Sequence, residues 1–461
     1  MIRMTLDEIA KVTGGRLVNA APSVAVTGPV EYDSRKVAPG GLFAAFEGEK
    51  VDGHEFAAAA VAKGAAGVLS TRDTGEPGVV VEEPLAALAA LARAVVERLP
   101  GLTIVGLTGS SGKTTTKDYI GQLLGRAGTT IAPAGSLNNE LGFPYTVLQA
   151  TEETRFLVLE MGARGIGHIR YLCEIARPEV GVVLNVGAAH IGEFGSVEGT
   201  ARAKGELVEA LPATGVAILN ADDPLVAGMA PRTRARVLLT GESPEAAVRA
   251  TEVSLDERGR ASYRLTYRDK SEIVRLAVAG RHQVANTLAA AGAALSVGMP
   301  FDDVVSALGE IGIVSSRRMD VFTRPDGVTV IDDSYNANPS STAAALHALA
   351  AMRAEGRRVA VLGYMAELGE HERAGHEEVG RLAATLGVDR LVAVAENARP
   401  ILDGATAVAG WTGEAIFAAD QAAALEIVRG ELRAGDVVLV KGSRYRTWDV
   451  VDGLRSEEGR P

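Results

Sequence analysis

Short apolar runs alternate with helical patterns along most of the chain, and this alternation predicts the fold class. In the middle of the chain, the runs that fit buried strands are residues 102–107, 156–159, 180–186 and 216–219. In the last third they are residues 328–331, 359–362, 391–394 and 437–440. Strands separated by helices form βαβ units, so we expect α/β domains with mostly parallel sheets and helices on both faces.

Two breaks in this pattern divide the chain into three predicted domains. The first break is the tripeptide 99–101, after an alanine-rich helical stretch, and the second is the turn region 312–318. They predict an N-terminal domain over 1–98, a central domain over 99–313 and a C-terminal domain over 314–461.

Local patterns add four expectations within these domains. Residues 261–278 alternate polar and apolar side chains, which indicates an antiparallel hairpin. The chain opens with a short helix that Thr5 and Glu8 cap, and a further helix is expected over 56–63. In the C-terminal domain, His371 and His376 fall on an amphipathic helix and are expected to be solvated.

Composition narrows the class of protein. The 461 residues are 47% hydrophobic and carry a net charge of −11, which argues against a general nucleic-acid or membrane binder. The longest apolar run, 85–92, is too short to span a membrane, and residues 1–15 lack the apolar core of a signal peptide. The single cysteine, Cys173, is read as a buried small hydrophobe, and its isolation fits a reducing compartment. We therefore expect a cytoplasmic protein.

The strongest motif is the loop TGSSGKTT at residues 108–115, between a predicted strand and a predicted helix. Its glycines let backbone N–H groups turn inward toward phosphate oxygens, and the helix N-terminus adds positive potential. Lys113 supplies a mobile charge, and the Thr114 hydroxyl is placed to bind Mg²⁺. The longer general motif would have glycine at position 107, where Leu107 stands. The predicted ATP-binding residues here are Gly109, Ser110, Ser111, Gly112, Lys113, Thr114 and Thr115.

Three further polar residues are candidates for the same site. Glu160 closes a predicted strand, His190 follows another, and Lys204 lies on a helical stretch. A carboxylate at the carboxyl end of a parallel strand lies in the crevice where such sheets bind ligands. Each residue also has a simpler explanation, as a solvated strand end, a turn residue and a surface lysine respectively. The loop itself does not say whether ATP serves a kinase, a mechanical NTPase or a ligase.

Several longer strings resemble the Mur ligase family, which forms amide bonds in peptidoglycan precursors. The short loop GxxGKT is the form that this family has. The strings NVGAAHIGEFGS at 185–196, DDSYNANP at 332–339 and KGSR at 441–444 resemble the branch that adds D-alanyl-D-alanine. YDSR at 32–35 and DGHEF at 52–56 are similar to a uridine-binding domain. The resemblance implies a small N-terminal uridine-binding α/β domain, a central P-loop domain and a C-terminal Rossmann-like domain.

The resemblance also implies a reaction. ATP would phosphorylate the terminal carboxylate of UDP-N-acetylmuramoyl-tripeptide, and D-alanyl-D-alanine would attack the acyl phosphate to give the pentapeptide, ADP and phosphate. Two Mg²⁺ ions would be held by Thr114, Glu160, His190 and Lys204, with Lys204 carbamylated. The expected enzyme is a monomer that binds no nucleic acid, and Lys113, Glu160, His190 and Lys204 are its expected catalytic residues.

Further residue roles follow from the resemblance alone. The other residues expected at ATP are His282, Asn286, Arg318, Asp333, Tyr335 and Asn336. Those expected at the two substrates are Ser34, Arg35, Gly53, His54, Asn138, Asn139, Met365, Glu367, Lys441 and Ser443. We expect Arg318 and Asp333 to reach ATP only when the C-terminal domain closes.

Other functions remain open at this stage. The sister ligase that adds the third peptide residue shares the N-terminal pattern, although the string at 396–399 is not its Asp-Asn-Pro-Arg motif. A folylpolyglutamate synthase would lack the uridine-type domain. A nucleotide-dependent regulator without ligase chemistry is the alternative from another class. The chain also departs from the family pattern at Ser136, Gln283 and Trp448-Asp449.

Overall fold

The computed structural model describes residues 1–48, 51–187, 196–443 and 446–455. These residues form three main sheets in successive parts of the chain, together with one two-stranded sheet. Helices pack against the sheets, so the expected mixed α/β fold class is confirmed.

The N-terminal sheet is small and mixed. The first strands are β1 Met4–Thr5, β2 Arg16–Val18, β3 Ala25–Val26, β4 Val30–Glu31, β5 Leu42–Ala44, β6 Gly67–Ser70 and β7 Gly78–Val80. The order in the sheet is β2-β7-β6-β5-β4, with β2 antiparallel to β7 and the other neighbours parallel. β1 pairs with β3 separately. The capping box that Thr5 and Glu8 predict is present at the first helix.

The central sheet is the largest. Its strands are β8 Thr103–Thr108, β9 Thr130–Ile131, β10 Phe156–Glu160, β11 Val180–Val183, β12 Val216–Asn220, β13 Arg236–Gly241, β14 Val248–Leu255, β15 Arg260–Tyr267 and β16 Lys270–Ala279. The order is β16-β15-β14-β13-β12-β11-β8-β10-β9. β14, β15 and β16 pair antiparallel, which confirms the expected hairpin, and the rest is parallel. The carboxyl ends of β10, β8 and β11 therefore meet at one edge.

The C-terminal sheet comprises β17 Asp320–Thr323, β18 Thr329–Asp332, β19 Arg358–Gly363, β20 Arg390–Val394, β21 Glu414–Ala418 and β22 Val437–Lys441. The order is β17-β18-β22-β19-β20-β21, parallel except for β17. β22 therefore lies between β18 and β19, although both of these strands precede it by more than seventy residues in the sequence.

Helices cover the faces of these sheets. The α-helices are α1 Leu6–Thr13, α2 Ala57–Ala62, α3 Pro84–Glu97, α4 Lys113–Gly125, α5 Gly142–Val147, α6 His168–Ile175, α7 Val197–Ala210, α8 Pro224–Ala227, α9 Gln283–Ser296, α10 Phe301–Glu310, α11 Pro339–Ala351, α12 Glu372–Thr385, α13 Pro400–Thr406, α14 Gln421–Glu431 and α15 Trp448–Arg455. None of the helices in the described ranges combines the length and apolar character that crossing a bilayer requires.

The central sheet is buried on both faces. Ile104 and Leu157 face a core that continues into the N-terminal domain. Val105 and Val158 face the other core, beneath α4 and α9. Burial on both sides explains why these strands read as continuous apolar runs.

Three local expectations differ from the structure. The strand expected over 180–186 ends at Val183, because the next residues turn toward the phosphate loop. The helix expected over 56–63 is a 3₁₀ turn, Gly53–Phe56, followed by α2. His376 is fully buried and not solvated, because both of its ring nitrogens have hydrogen-bond partners, whereas His371 is exposed as expected.

Candidate active site

The phosphate loop connects β8 to α4, as its sequence predicts. Asn185, after β11, supports the loop from the side: its carbonyl accepts the Ser110 N–H at 3.1 Å, and its side-chain oxygen accepts the Ser111 N–H at 2.9 Å. The Lys113 ammonium folds back and donates to the Gly109 carbonyl at 2.8 Å. The loop is therefore held in shape without using the lysine as an ion-pair partner.

Gly112 makes the turn into α4. Its φ is +79°, and a Cβ there would lie 2.6 Å from the Asn286 side-chain oxygen. Asn286 is buried, and it donates from its amide to Gln283 at 2.9 Å. Among the described residues, the N–H groups of Gly112, Lys113 and Thr114 have no protein acceptor. Converging free N–H groups at a helix start suit a phosphate.

Glu160 is the buried carboxylate of the site. One of its oxygens accepts the Thr114 hydroxyl at 2.9 Å. The other accepts Ser136 Oγ at 2.8 Å and Asn138 Nδ2 at 2.6 Å. The Asn139 side chain instead accepts the Gly142 N–H at 2.8 Å and so orders the turn before α5. The structure thus brings Thr114, Glu160 and Asn138 together.

Lys204 is also buried and lies close enough to Lys113 for their charges to repel each other. Burial first, and then the Lys113 charge, hold the pKa of Lys204 well below its ordinary value. Burial likewise lowers the pKa of Lys113. Two cations in one buried place favour an anion between them. His190, the remaining metal candidate, lies outside the described residues.

The residues at this edge fit Mg²⁺. The ion binds hard oxygen donors, keeps several waters, and often takes only one or two carboxylates together with substrate phosphates. The Thr114 hydroxyl and the Glu160 carboxylate are such donors. Within the described ranges, no three His, Cys, Asp or Glu side chains gather into a metal cage.

The C-terminal domain reaches the phosphate loop through Arg318. Its guanidinium donates to Thr114 Oγ1 at 3.3 Å and lies over the Tyr335 ring, 4.3 Å from the centroid. Asp333 accepts the Met319 N–H at 3.2 Å and the Lys441 ammonium at 2.5 Å. The contact between Arg318 and Thr114 exists in this structure; that Arg318 meets ATP only on closure stays a prediction.

Lys441 and His282 lie next to these contacts. Lys441 also donates to the Asn336 carbonyl at 2.9 Å, so it fixes the segment that follows β18. The Nδ1 atom of His282 is buried and has no partner among the described residues, and burial lowers the pKa of His282 to about 4. A buried ring nitrogen without a partner is available to a ligand.

In the N-terminal domain, Arg35 is exposed and donates to Asp33 from its backbone N–H and from Nε and Nη2 on one edge of its guanidinium, at 2.9–3.0 Å. These bonds lower the pKa of Asp33 to about 2. Lys63 donates to the carbonyls of Ser34 and Arg35 and steadies the turn. An exposed arginine on a supported turn is accessible to an anionic ligand.

His54 is expected to contact the substrate, but its ring is buried and bonded within the protein. Its ring is buried, Nδ1 lies 2.6 Å from Asp52 Oδ1, and Nε2 accepts the Thr71 N–H at 3.1 Å. Gly53 packs so closely on Phe46 that a Cβ would lie 2.5 Å from its carbonyl oxygen. Both residues therefore support the loop from within.

The loop after β19 holds the last group of expected residues. Met365 is buried, and Glu367 has a φ of +68°. Ser443 Oγ donates to the Tyr364 carbonyl at 2.9 Å and accepts the Ala366 N–H at 3.0 Å. The structure thus brings Met365 close to the segment that carries Lys441 and Ser443, which lies more than 70 residues further along the sequence.

Sequence reasoning missed several residues that shape the site. Asp223 accepts the Val186 N–H at 2.8 Å and anchors the segment that leads toward His190. Gln122 of α4 exchanges two hydrogen bonds with the backbone of Gly312. The pattern of hydrophobic and polar residues does not reveal which polar side chains make hydrogen bonds to distant parts of the chain. Asp223 could have been found as a helix N-cap, because Pro224 follows it.

A phosphate loop with free N–H groups, a buried carboxylate and a second domain supplying an arginine define a nucleotide-using α/β enzyme. Three family models match the chain: "Mur ligase middle domain" over 107–294, "Mur ligase, glutamate ligase domain" over 317–444, and "Mur ligase family, catalytic domain" over 29–96.

Relatives that match nearly the whole chain belong to the same family. The chain is 49% identical to the UDP-N-acetylmuramoyl-tripeptide–D-alanyl-D-alanine ligase of Mycobacterium tuberculosis (strain ATCC 25618 / H37Rv), covering 96% of each. It superposes on MurF from Acinetobacter baumannii with a TM-score of 0.87 and 32% identity, covering 98% of this chain and 99% of that one. MurF from Thermotoga maritima in complex with ADP gives 0.81 and 30%, covering 94% and 98%. The chain belongs to the Mur ligase family, and these relatives all carry the name of its MurF branch.

Proposed function

We infer that the chain is an ATP-dependent ligase that joins D-alanyl-D-alanine to UDP-N-acetylmuramoyl-tripeptide. The product is the pentapeptide precursor of peptidoglycan, released with ADP and phosphate. The observation that carries this inference is the 49% identity over 96% of the chain to a ligase of that name. The geometry supports it, since the phosphate loop faces a second domain that can exclude water. The D-alanyl-D-alanine ligase is favoured over the sister ligase, because relatives that are 49% and 36% identical over at least 96% of the chain bear the D-alanyl-D-alanine name.

Amide formation from a carboxylate is slow because the carboxylate oxygen is a poor leaving group. Phosphorylation by ATP converts it into an acyl phosphate, which the dipeptide amine attacks to displace phosphate. The free N–H groups of 112–114 and the Lys113 ammonium are placed to bind the phosphate oxygens that gain charge. Arg318 approaches from the C-terminal domain and can hold the same oxygens. An acyl phosphate must be shielded from water, which the contact between the two domains can provide.

The proposed reaction also uses Mg²⁺. Thr114 and Glu160 would hold it, with His190 and Lys204 as further members of the set. The ion would neutralise charge on the transferring phosphoryl group. Within the protein, Ser136 and Asn138 orient the Glu160 carboxylate by donating to its second oxygen.

The two substrates would enter from opposite ends. We place the uridine end at Ser34, Arg35, Gly53 and His54, with His54 acting through the loop that it supports. The dipeptide end would lie at Met365, Glu367, Lys441 and Ser443. We propose that the chain folds into the predicted domains 1–98, 99–313 and 314–461 and acts as a monomer. We also propose that it is cytoplasmic, because a lone cysteine fits a reducing compartment.

The decisive experiment measures phosphate release with ATP, Mg²⁺ and UDP-N-acetylmuramoyl-tripeptide, with and without D-alanyl-D-alanine. We expect release to depend on the dipeptide, and ¹⁸O placed in the tripeptide carboxylate to appear in the phosphate. Turnover with a free diamino acid and UDP-dipeptide would select the sister ligase. Nucleotide binding without any dipeptide-stimulated release would select a regulator.

Carbamylation of Lys204 by CO₂ is the finer part of this proposal. It would turn a buried cation beside Lys113 into an anion that attracts both the ammonium and Mg²⁺. Lys204→Ala should be inactive and partly rescued by short carboxylates, measured as ADP formation. Lys63→Ala, at a supporting lysine of the N-terminal domain, should gain nothing from the same carboxylates. Full activity of Lys204→Ala without them would remove the carbamate.

A further inference from the structure

His376 is a buried histidine that the proposed mechanism does not use. It lies on α12 with no exposed surface, and its ring stacks on Tyr364 with centroids 5.4 Å apart and planes 15° apart. Tyr364 is the first residue of the loop after β19, and its hydroxyl donates to Glu372 of α12 at 2.6 Å. The histidine therefore sits between a helix and a loop that the proposal assigns to the dipeptide.

The hydrogen bonds of His376 determine which of its ring nitrogens carries the hydrogen. Nδ1 lies 2.7 Å from the Glu372 carbonyl, which can only accept, so Nδ1 carries the hydrogen. Nε2 lies 2.9 Å from the Met365 nitrogen, whose N–H can only donate, so Nε2 is bare. The ring is thus neutral and uses both nitrogens. Burial lowers the pKa of His376, which agrees with this state.

The loop that His376 holds is fixed from two other sides. Thr342 of α11 contacts the Met365 sulfur at 3.6 Å, and Ser443 bonds the backbone of the neighbouring residues. The N–H of Met365 depends on His376 alone among the described residues. Without that acceptor a buried donor would be left unpaired, which costs more than an ordinary hydrogen bond.

Contacts also connect α12 to the phosphate loop through the start of α11. A Cβ on Gly375 would lie 3.1 Å from Leu368 and 3.2 Å from Pro339, at the start of α11. The next residue, Ser340, approaches Gly187, which exchanges hydrogen bonds with Ser110 of the phosphate loop. The loop around Met365 therefore lies where the C-terminal domain meets the nucleotide site.

We propose that His376 is a positioning residue for the incoming dipeptide: by accepting the Met365 N–H, it holds residues 364–369 in the shape that receives D-alanyl-D-alanine. This inference rests on the proposed function. His376 touches no reacting atom in it, and its effect passes through the loop backbone.

Two variants separate the hydrogen bond from the packing. His376→Phe keeps an aromatic ring against Tyr364 but offers Met365 no acceptor. His376→Gln keeps an acceptor close to the position of Nε2. We expect His376→Phe to raise the KM for D-alanyl-D-alanine about tenfold, with changes of less than about twofold for ATP and the UDP-substrate. His376→Gln should stay within about threefold of the parent for all three.

His347, an exposed histidine on α11, provides the matched control. His347→Phe and His347→Gln should leave every KM unchanged. Equal rises in all three KM values for His376→Phe, in step with a lower melting temperature, would assign His376 a structural role only and overturn the proposal. An unchanged dipeptide KM would overturn it as well.

A measurement on the unaltered protein covers the case in which His376→Phe does not fold. Imidazole ¹⁵N spectra should show protonated Nδ1 and bare Nε2 at this residue at neutral pH. The titratable groups that face the ring are Glu372 and Tyr364. A protonated Nε2 would overturn the proposal. Absence of dipeptide-dependent phosphate release in the parent enzyme would instead count against the proposed function.

Discussion

Gly112 leaves no room for a side chain at the turn into α4. It combines a left-handed backbone with contact against the Asn286 amide, and its N–H has no acceptor among the described residues. A side chain at this position would both strain the turn and push Asn286 away from the loop. The phosphate cradle therefore depends on the absence of a side chain as much as on the charge of Lys113.

Gly112→Ala should lower ADP formation at least about 100-fold, because small displacements of a phosphate cradle are costly. The left-handed alanine should also cost about 1 kcal/mol of folding free energy. Steady-state kinetics and urea unfolding measure the two effects. Gly125→Ala, at the far end of the same helix with open space around it, is the control and should keep full activity. Normal turnover by Gly112→Ala would contradict this account.

Cys173 is buried, and burial raises the pKa of its thiol to about 12. The thiolate is the reactive form, so alkylation of the folded protein at pH 8 should be far slower than that of a free thiol. One equivalent should react once urea unfolds the chain. Mass spectrometry after iodoacetamide treatment gives both values, and rapid labelling of the folded protein would show that the residue is accessible.

At this scale the sequence predicts the members of the phosphate site better than their surroundings. Thr114 and Glu160 could be paired beforehand, since the phosphate loop and Glu160 both lie at the carboxyl ends of strands of one parallel sheet. The burial of Lys204 and His376 could not, because it depends on neighbours far along the chain. Arg318 was expected from resemblance alone, and only the fold shows its contact with Thr114.

At the scale of elements, α4 does more than begin at the phosphate loop. Its Gln122 donates to the Gly312 carbonyl at 3.1 Å and accepts the Gly312 N–H at 2.9 Å. Asp118 accepts the Ser315 N–H at 3.0 Å, and Ser315 Oγ in turn accepts the Gly135 N–H at 2.9 Å. One helix thus binds the connection to the C-terminal domain three residues before Arg318.

Gln122→Met removes both bonds to Gly312 while keeping similar volume. We expect a loss of about 1 kcal/mol in unfolding free energy and a fall in kcat with little change in the KM for ATP. Gln122→Glu keeps the acceptor and loses the donor, so its kcat should lie between those of the parent and Gln122→Met. Urea titrations and steady-state kinetics test this, and three equal kcat values would show that the connection does not depend on Gln122.

The alternation of apolar runs and helical patterns predicts that strands and helices are present, but it does not predict the order of the strands in each sheet. Apolar runs located eight strands of the central and C-terminal sheets within a few residues, and the alternating pattern at 261–278 identified the hairpin. Strands such as β13, β17 and β21 lie outside those runs. Strand order is set by packing of helices on the sheets, which has no local signal. The short end of β11 at Val183 was likewise hidden, because the apolar run continues to Val186 while the backbone already turns.

At the scale of the whole molecule, the candidate sites are divided among domains. The Arg35 turn belongs to the N-terminal sheet, the phosphate loop to the central sheet, and the 364–369 loop to the C-terminal sheet. Contacts such as Tyr145 to Glu31, at 3.1 Å, join the first two. Binding of one substrate should therefore be separable by mutation from binding of another.

Arg35→Ala provides the test of that separation. A charge-assisted hydrogen bond contributes about 1.5 kcal/mol or more, so the KM for the UDP-substrate should rise about tenfold. The KM for ATP should not change. Lys11→Ala, an exposed cation of the same domain, is the control. A higher KM for ATP with an unchanged KM for the UDP-substrate would move the uridine site away from Arg35.

The position of β22 has a consequence for how the protein is made. On the ribosome, β18 and β19 are synthesised well before the strand that must lie between them, so the C-terminal sheet cannot close until residues 437–441 have left the exit tunnel. Nascent chains arrested before that point should expose apolar edges and recruit chaperones, while the first two sheets are already formed. A nonsense mutation just upstream of β22 should therefore yield a degraded product and not a partially active one.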